Sequence, residues 1–242
     1  MTLLALIFFV ALIYASVGHG GASGYLAAMS LFGGYLPAEM SASALVLNVL
    51  VAGTACLTFW RAGHGSLRLL WPFVVWSVPG AFLGGWLPIS AQTYRWLLAA
   101  CLLMAAIRLC LASARDDERH QAPSLAVALP VGGAIGVISG IVGVGGGIFL
   151  SPLMVLLRWA AVKRTAAVSA AFIVVNSLAG LSGRLIAGRL HAGSLFPVVV
   201  MAFTGGLAGA WLGARRFSGL WLRRLLALVL VIAAGKLALS HG

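Results

Sequence analysis

The chain has 242 residues, of which 62% are hydrophobic and 8% are charged. Soluble domains carry about 25% charged residues, so this composition excludes an ordinary soluble domain. The formal net charge of +12 does not indicate a nucleic-acid-binding protein, because Lys and Arg lie mostly in short segments between apolar runs, where such residues set membrane topology. We therefore expect an all-α polytopic membrane protein that lies in the lipid bilayer and binds no nucleic acid.

The first apolar segment, 3–36, is interrupted by a glycine-rich stretch. It is 34 residues long and holds the sequence VGHGGASG at 17–24. As one helix it would measure about 51 Å, whereas one crossing of the bilayer core needs about 30 Å and two crossings need about 60 Å. The segment is therefore either a bent helix that crosses once or a re-entrant hairpin that turns back at its glycines.

Plain apolar segments, each close to the ~20 residues that a crossing needs, follow the broken segment in both halves of the chain. The second broken segment is 125–158, with GIVGVGGGIFLSPL at 140–153. The organisation is a first repeat at 1–115, a charged cytoplasmic linker at 116–121 and a second repeat at 122–242. The plain crossings are expected at about 40–60, 67–87, 94–112, 165–186, 194–213 and 219–240.

Matching residues relate the two halves. Residues 17–22 align with residues 142–147 at a shift of 125. The same shift relates two GxxxG pairs, which begin at Gly80 and Gly205. This spacing of small residues is typical of closely packed membrane helices. Because the matches recur in the same order, they predict two homologous halves.

The distribution of Lys and Arg favours re-entrant hairpins. If each broken segment crosses once, these residues divide eight against eight between the two sides. If each turns back, the halves are inverted and the division is twelve against four, which is the cytoplasmic excess that membrane proteins show. We therefore favour two inverted repeats with both termini outside, and a bent single crossing is the alternative. The cytoplasmic set is Arg61, Arg68, Arg108, Arg115, Arg119, Arg158, Lys163, Arg164, Arg215, Arg216, Arg223 and Arg224, and the outer set is Arg95, Arg184, Arg189 and Lys236.

The glycine-rich turns are candidate anion-binding sites. A helix that starts after each turn has unpaired amides and partial positive charge at its first residues, and such ends bind anions. The chain has four acidic residues, Glu39 and those at 116–118, and none lies deep in an apolar run. A cation carrier would normally place a carboxylate at the midplane, so the substrate is expected to be anionic or neutral.

The candidate substrate-binding residues are the glycines of both turns, two polar neighbours and the asparagines at equivalent positions of the next helices. His19 is either a proton-carrying group or a neutral structural histidine, and the asparagines either bind substrate or only hold helices together. Arg184 is expected to extend to the membrane surface. No catalytic residue and no cofactor are expected. No metal site or disulfide is expected either, because Cys56, Cys101 and Cys110 form no recognisable pattern. The candidates are Gly18, His19, Gly20, Gly21, Ser23, Asn48, Gly143, Gly145, Gly146, Gly147 and Asn176.

The paired motifs at 17–24 and 142–153, the second ending in Ser-Pro-Leu, resemble those of the TauE/SafE sulfite exporter family, also called the 4-toluene sulfonate uptake permease family. The resemblance covers nearly the whole chain. It implies secondary transport of small sulfur-containing anions, such as sulfite or organosulfonates, in the bacterial inner membrane, and a substrate-site role for the glycines of both motifs. The first motif departs from the pattern, because Ala22 and Ser23 stand where a longer glycine run is usual.

Two other functions are compatible with the same residues. An anion channel could use the same glycine turns without alternating access. An intramembrane serine protease could use Ser23 in Gly21-Ala22-Ser23-Gly24, with His19, His64 or His191 as the base. The sequence leaves substrate identity, direction, coupling ion and homo-oligomer formation open.

Overall fold

The computed structural model describes residues 2–32, 37–87, 90, 92, 120–188, 196–218 and 224. The regular structure of these residues is entirely helical, and a π-helical turn, Leu212–Arg216, follows the last helix. The predicted crossings at 94–112 and 219–240, most of the linker 116–121, Cys101, Cys110 and His191 lie outside the described residues. The helices are α1 (Thr2–Ser16), α2 (Ala22–Phe32), α3 (Pro37–Arg61), α4 (Leu67–Trp86), α5 (Leu125–Val142), α6 (Gly147–Leu156), α7 (Val162–Ile186) and α8 (Phe196–Trp211).

Five stretches of the described residues are long and apolar enough to cross a membrane, and they confirm an all-α polytopic membrane protein. Two of them, in α3 and α7, are the most buried and form the centre of the bundle. The five stretches are Ala42–Arg61, Leu67–Trp86, Leu125–Val142, Val162–Ile186 and Phe196–Arg216.

Both glycine-broken segments turn back on themselves. In the first, the hydroxyl oxygens of Tyr14 and Ser23 lie 3.0 Å apart, so α2 returns alongside α1. In the second, the backbone amide of Gln121 donates to the carbonyl oxygen of Arg158 at 3.1 Å. The residues that precede α5 and follow α6 are therefore adjacent, and α5 and α6 form a second hairpin.

The central helices α3 and α7 run antiparallel. The indole Nε1 of Trp60, at the end of α3, donates to the carbonyl oxygen of Ala167, near the start of α7, at 3.2 Å. At the other end of the pair, Leu45 lies beside Gly180. The Nζ of Lys163 donates to the carbonyl oxygen of Ala214 at 3.2 Å, so α8 also ends here.

We call this end of the bundle the Arg61 end. Most of the described Lys and Arg residues lie at the helix ends and loops found there, whereas Arg184 lies in the last turn of α7, toward the opposite end. The cations at the Arg61 end are Arg61, Arg68, Arg158, Lys163, Arg164, Arg215 and Arg216.

Glycines let two parallel helix pairs approach closely. On α8 and the π-helical turn that follows it, a Cβ atom at Gly205, Gly209 or Gly213 would overlap the α1 carbonyl oxygen of Phe8, Leu12 or Ser16, respectively. On α5, a Cβ atom at Gly132, Gly136 or Gly140 would overlap the α4 carbonyl oxygen of Phe73, Ser77 or Ala81. Each glycine-broken segment thus packs closely against a helix from the other half of the chain.

The two helix pairs repeat one contact. Gly84 approaches Val137 closely, and Gly209 approaches Leu12 in the same way. Gly84 and Gly209 are 125 residues apart, as are Leu12 and Val137. The α4–α5 and α8–α1 interfaces therefore use equivalent positions.

Candidate functional site

The first glycine turn, residues 17–21, separates α1 from α2, and we call it the first tip. Its backbone amides bond back to the end of α1, with the His19 amide donating to the Tyr14 carbonyl oxygen at 2.8 Å. Gly18 and Gly21 have φ angles of 78° and 89°, in the left-handed region that side chains other than glycine rarely adopt. The glycines therefore end α1 and start α2 within a few residues.

The second tip, residues 143–146, separates α5 from α6 in a similar way. Gly143 caps α5 in the left-handed conformation, and its amide donates to the Ser139 carbonyl oxygen at 2.8 Å. Gly145 and Gly146 also have positive φ angles, 78° and 80°, and Gly146 is the N-cap of α6. The predicted helix breaks are thus present at both motifs.

A small cavity lies between the two tips. Its volume is about 10 Å³, which is room for about one water molecule and far below the roughly 300–1,000 Å³ of pockets for drug-sized ligands. The first half of the chain lines it with the tip backbone and polar side chains, and the second half lines it with apolar side chains. The lining residues are Tyr14, His19, Gly20, Gly21, Ala22, Ser23, Val144, Ile148 and Ile173.

The start of α2 opens into this cavity, because Gly21 and Ala22 line it. The first amides of a helix have no partner one turn back, and they give this end partial positive charge. The glycines of the second tip and Gly147 are not among the lining residues, and Val144 represents that tip. The candidate residues predicted from the sequence therefore fall into two groups. The first tip lies at the cavity, whereas the glycines of the second tip lie outside the cavity lining.

Asn48 links the two tips from α3. Its Oδ1 accepts a hydrogen bond from the Ala22 amide at 3.1 Å, which satisfies one of the free amides of α2. Its Nδ2 is buried without a hydrogen-bond partner among the described residues and lies 3.0 Å from where a Cβ atom on Gly145 would be. Ser177, whose hydroxyl is also buried without a described partner, flanks Gly145 as well.

Asn176, at the equivalent position of α7, has different partners. Its Oδ1 accepts from the Ser77 hydroxyl at 2.8 Å, and its Nδ2 donates to the Phe172 carbonyl oxygen at 2.9 Å. The residue of α8 that corresponds to Ser77 is Ala202, which offers Asn48 no such hydroxyl. The described hydrogen bonds of Asn176 thus hold α7 to α4 and do not reach a tip.

His19 is buried at the cavity. Its Nδ1 lies 3.1 Å from the Val17 carbonyl oxygen, and because a carbonyl oxygen only accepts, Nδ1 carries the hydrogen in this contact. Nε2 is buried without a hydrogen-bond partner among the described residues. In the neutral ring Nε2 is an acceptor, and protonation would convert it into a donor.

Arg184 bonds to the backbone of a neighbouring helix. Its guanidinium donates to the carbonyl oxygens of Gly140 and Ile141, each at 3.2 Å. These carbonyls belong to the last turn of α5, where helix dipoles concentrate partial negative charge. Arg184 therefore holds the helix end that leads into the second tip.

Sequence reasoning missed four residues around the tips, Tyr14, Ile173, Ser139 and Ser177. Ser177 directly follows Asn176, but the residue that follows Asn48 in the first half is Val49, so the repeat comparison gives no signal. Tyr14 precedes the first motif by one helical turn, and this proximity is the one signal that could have identified it.

Helices broken at glycine that meet inside a bundle of apolar helices define a multi-pass membrane protein with the organisation of a transporter. The chain belongs to the sulfite exporter TauE/SafE family, whose model matches residues 3–237. It is 35% identical over 239 residues to the "Probable membrane transporter protein y4hK" of Sinorhizobium fredii (strain NBRC 101917 / NGR234), and the match covers 97% of this chain and 96% of that protein. No solved structure matches the chain. These matches place it among membrane transporters.

Proposed function

We propose that the protein is a secondary transporter for small anions, with sulfite and organosulfonates as the leading substrates. The observation that carries this proposal is the cavity between the tips, into which the N-terminus of α2 opens. Glycine at 20 and 21 lets Asn48 and Tyr25 pack against the tip backbone. The family name supports sulfur oxyanions as the substrate class.

The charge inventory supports an anionic substrate. The described lining of the cavity contains no carboxylate, and Glu39 lies in the first turn of α3. The positive end of α2 would stabilise an anion here. The first amides of α2 would oppose a cation at this place.

The helix directions support two inverted repeats with re-entrant hairpins. Helices α3 and α7 carry the equivalent residues Asn48 and Asn176 but run antiparallel. The hydrogen bond between Gln121 and Arg158 favours a hairpin over a bent crossing. The cations of the Arg61 end make it the cytoplasmic side, so both termini face outward in the bacterial inner membrane.

The narrow cavity fits a closed state of such a carrier. Substrate entry would require the two hairpins to move apart, and release would require opening on the other side, which is the alternating access of inverted-repeat transporters. An anion channel is the second candidate, since a channel could use the same cavity. Counterflow in proteoliposomes separates the two, because trapped substrate stimulates uptake only by a carrier.

The protease hypothesis receives no support from the hydrogen bonds of Ser23. Its hydroxyl lies 3.0 Å from that of Tyr14, and His19 Nδ1 bonds to Val17. His64 belongs to the loop after α3. Ser23→Ala decides the question: loss of peptide-bond cleavage would favour the protease, whereas a small change in anion flux is expected of the transporter.

The test of the proposed function is a screen with purified protein in proteoliposomes. Sulfite, sulfate, thiosulfate and small sulfonates would be offered in turn, with sodium and potassium as the cation comparison. We expect saturable uptake of at least one of these sulfur anions, with trapped substrate accelerating it. Saturable cation uptake without anion uptake would overturn the proposal.

A further inference from the structure

Lys163, in the first turn of α7, carries a charge that no acid among the described residues neutralises. Its side chain is half-buried, and its Nζ donates to the carbonyl oxygen of Ala214 at 3.2 Å. Glu39, the one acid in the described part of the chain, lies in the first turn of α3, at the opposite end of the bundle. An ammonium group has three donors, so Lys163 can bind a further acceptor.

Two packing contacts place Lys163 beside the first tip, on the side of the Arg61 end. On α7, Ala166 follows Lys163 by three residues, which is about one helical turn, and a Cβ atom on Gly18 would overlap the Ala166 carbonyl oxygen. Gly213 precedes the carbonyl group that Lys163 binds, and a Cβ atom there would overlap the carbonyl oxygen of Ser16, the last residue of α1. The ammonium group therefore lies close to the backbone that leads into the first tip.

His64, in the loop after α3, faces the same carbonyl oxygen of Ala214. Burial, and then the charges of Lys163 and Arg164, lower the pKa of the imidazole, while its hydrogen bond to Ala214 opposes this change. The imidazole is therefore largely neutral at pH 7 and contributes no full charge. Lys163 is thus the charged side chain that binds this carbonyl group.

From this placement, and resting on the proposed function, we propose that Lys163 is a substrate-positioning residue, which binds the transported anion as it enters or leaves the tip cavity at the Arg61 end. An ammonium group bonds more strongly to an anionic oxygen than to a neutral carbonyl oxygen. In the closed arrangement the Ala214 carbonyl satisfies the ammonium group, and no carboxylate among the described residues has to be displaced by the substrate.

The helix packing links the release of Lys163 to opening at this end. Ala214 follows Gly213, which packs on α1 of the first hairpin, whereas Lys163 belongs to α7. A movement of the first hairpin and α8 away from α7 would therefore break the bond between Lys163 and Ala214. The same movement would separate Gly18 from Ala166, so the cavity and the ammonium group would become accessible together.

The experiment measures saturable sulfite uptake by the purified full chain in proteoliposomes of each orientation, which impermeant maleimide labelling of Leu157→Cys identifies. In Lys163→Gln, the sulfite concentration for half-maximal uptake should rise about tenfold when sulfite is offered at the Arg61 end, and should stay near the wild-type value at the opposite end. Lys163→Arg keeps the charge and should restore most of the affinity. Arg68→Gln removes an exposed charge of the same end and is the matched control, with both values expected near wild type.

A purely structural role of Lys163 would change uptake from both ends alike. Equal increases at the two ends, or unchanged values in folded Lys163→Gln, would overturn the inference while leaving the transporter in place. If Lys163→Gln does not fold, wild-type protein carries the test, because salt screens an accessible ammonium charge. Higher ionic strength should then weaken sulfite uptake more at the Arg61 end, and equal weakening at both ends would overturn the inference. Absence of saturable sulfite uptake by wild-type protein would count against the proposed function and this inference together.

Discussion

The Oδ1 of Asn48 accepts a hydrogen bond from the amide of Ala22 at 3.1 Å. This bond joins the middle of a central helix to the first amide of α2, at the edge of the tip cavity. A buried side chain that satisfies a helix N-terminus positions that terminus as well as stabilising it. The geometry of the proposed anion site thus depends on a residue behind it.

Replacement of Asn48 by aspartate tests the electrostatics of the site. Asn48→Asp keeps an oxygen acceptor for Ala22 but can add a negative charge beside the α2 N-terminus. Repulsion between this charge and a bound anion should weaken propane-1-sulfonate binding by at least about tenfold. Asn48→Ala removes the cap without adding charge, should lower the unfolding free energy by about 1 kcal/mol, and should weaken binding less than Asn48→Asp. Stronger or equal binding by folded Asn48→Asp would contradict an anion site.

Substitutions at the second tip should remove transport while the protein still reaches the membrane. Gly145 has a φ angle of 78°, and a Cβ atom there would lie 2.7 Å from Ile173 and 2.8 Å from the Ser177 hydroxyl oxygen. Gly145→Val must therefore displace neighbours of the cavity, and loss of uptake in proteoliposomes is expected, as it is for Gly146→Val. The matched control is Gly53→Val on α3, where a Cβ atom would have open space around it, and its uptake should stay near that of wild type. Normal uptake by both tip variants would remove the second tip from the mechanism.

Arg184 should stabilise the end of α5. Arg184→Ala removes two hydrogen bonds from a charged donor, and bonds of this kind contribute about 1.5–3 kcal/mol each. A clear decrease in the unfolding temperature is expected by differential scanning fluorimetry in detergent. Arg216→Ala is the control, because Arg216 is exposed. Its guanidinium carbon lies 5.4 Å from the Trp211 ring, and an exposed contact of this kind contributes only about 0.5–1 kcal/mol, so its removal should have a smaller effect. Equal unfolding temperatures for the two variants would show that the Arg184 bonds do not hold α5.

The hairpin topology predicts which positions face the cytoplasm. Single cysteines would replace Gln121, before α5, and Leu157, after α6, in a variant without the native cysteines. Both are exposed, and both should react with a membrane-impermeant maleimide only when the cytoplasmic side is accessible, as in inverted vesicles. A bent single crossing would place them on opposite sides of the membrane. Labelling from opposite sides would therefore contradict the hairpin, and an active alkaline phosphatase fused to the C-terminus would support the outward termini.

The helix breaks and the packing faces follow directly from composition and spacing. Glycine at positions such as 18 and 146 interrupts helices that are otherwise apolar throughout, and each adopts the left-handed conformation in the structure. The GxxxG spacing at 205–209 gives a face without side chains, which only a close neighbouring backbone can fill. Local residue properties dictate these features, so the sequence is sufficient to predict them.

The partners of the two asparagines could not be predicted from the repeat. Equivalent positions suggest equivalent roles, yet Asn176 bonds to Ser77 while Asn48 bonds to Ala22. The position of α8 that corresponds to Ser77 is Ala202, which has no hydroxyl to donate. The division of the cavity into polar and apolar sides depends likewise on which side chains meet across the halves. The spacing of residues along the sequence does not predict tertiary contacts of this kind.

The most direct test of the anion site is substrate protection of a cysteine at the cavity. Ser23→Cys, in a variant without the native cysteines, would be modified by a small methanethiosulfonate reagent with and without saturating propane-1-sulfonate. The account predicts slower modification of this cysteine in the presence of the sulfonate, while a cysteine replacing Ser66 in the loop before α4 reacts at an unchanged rate. An unchanged rate at position 23, in protein that demonstrably binds the sulfonate, would contradict the placement of the anion between the tips.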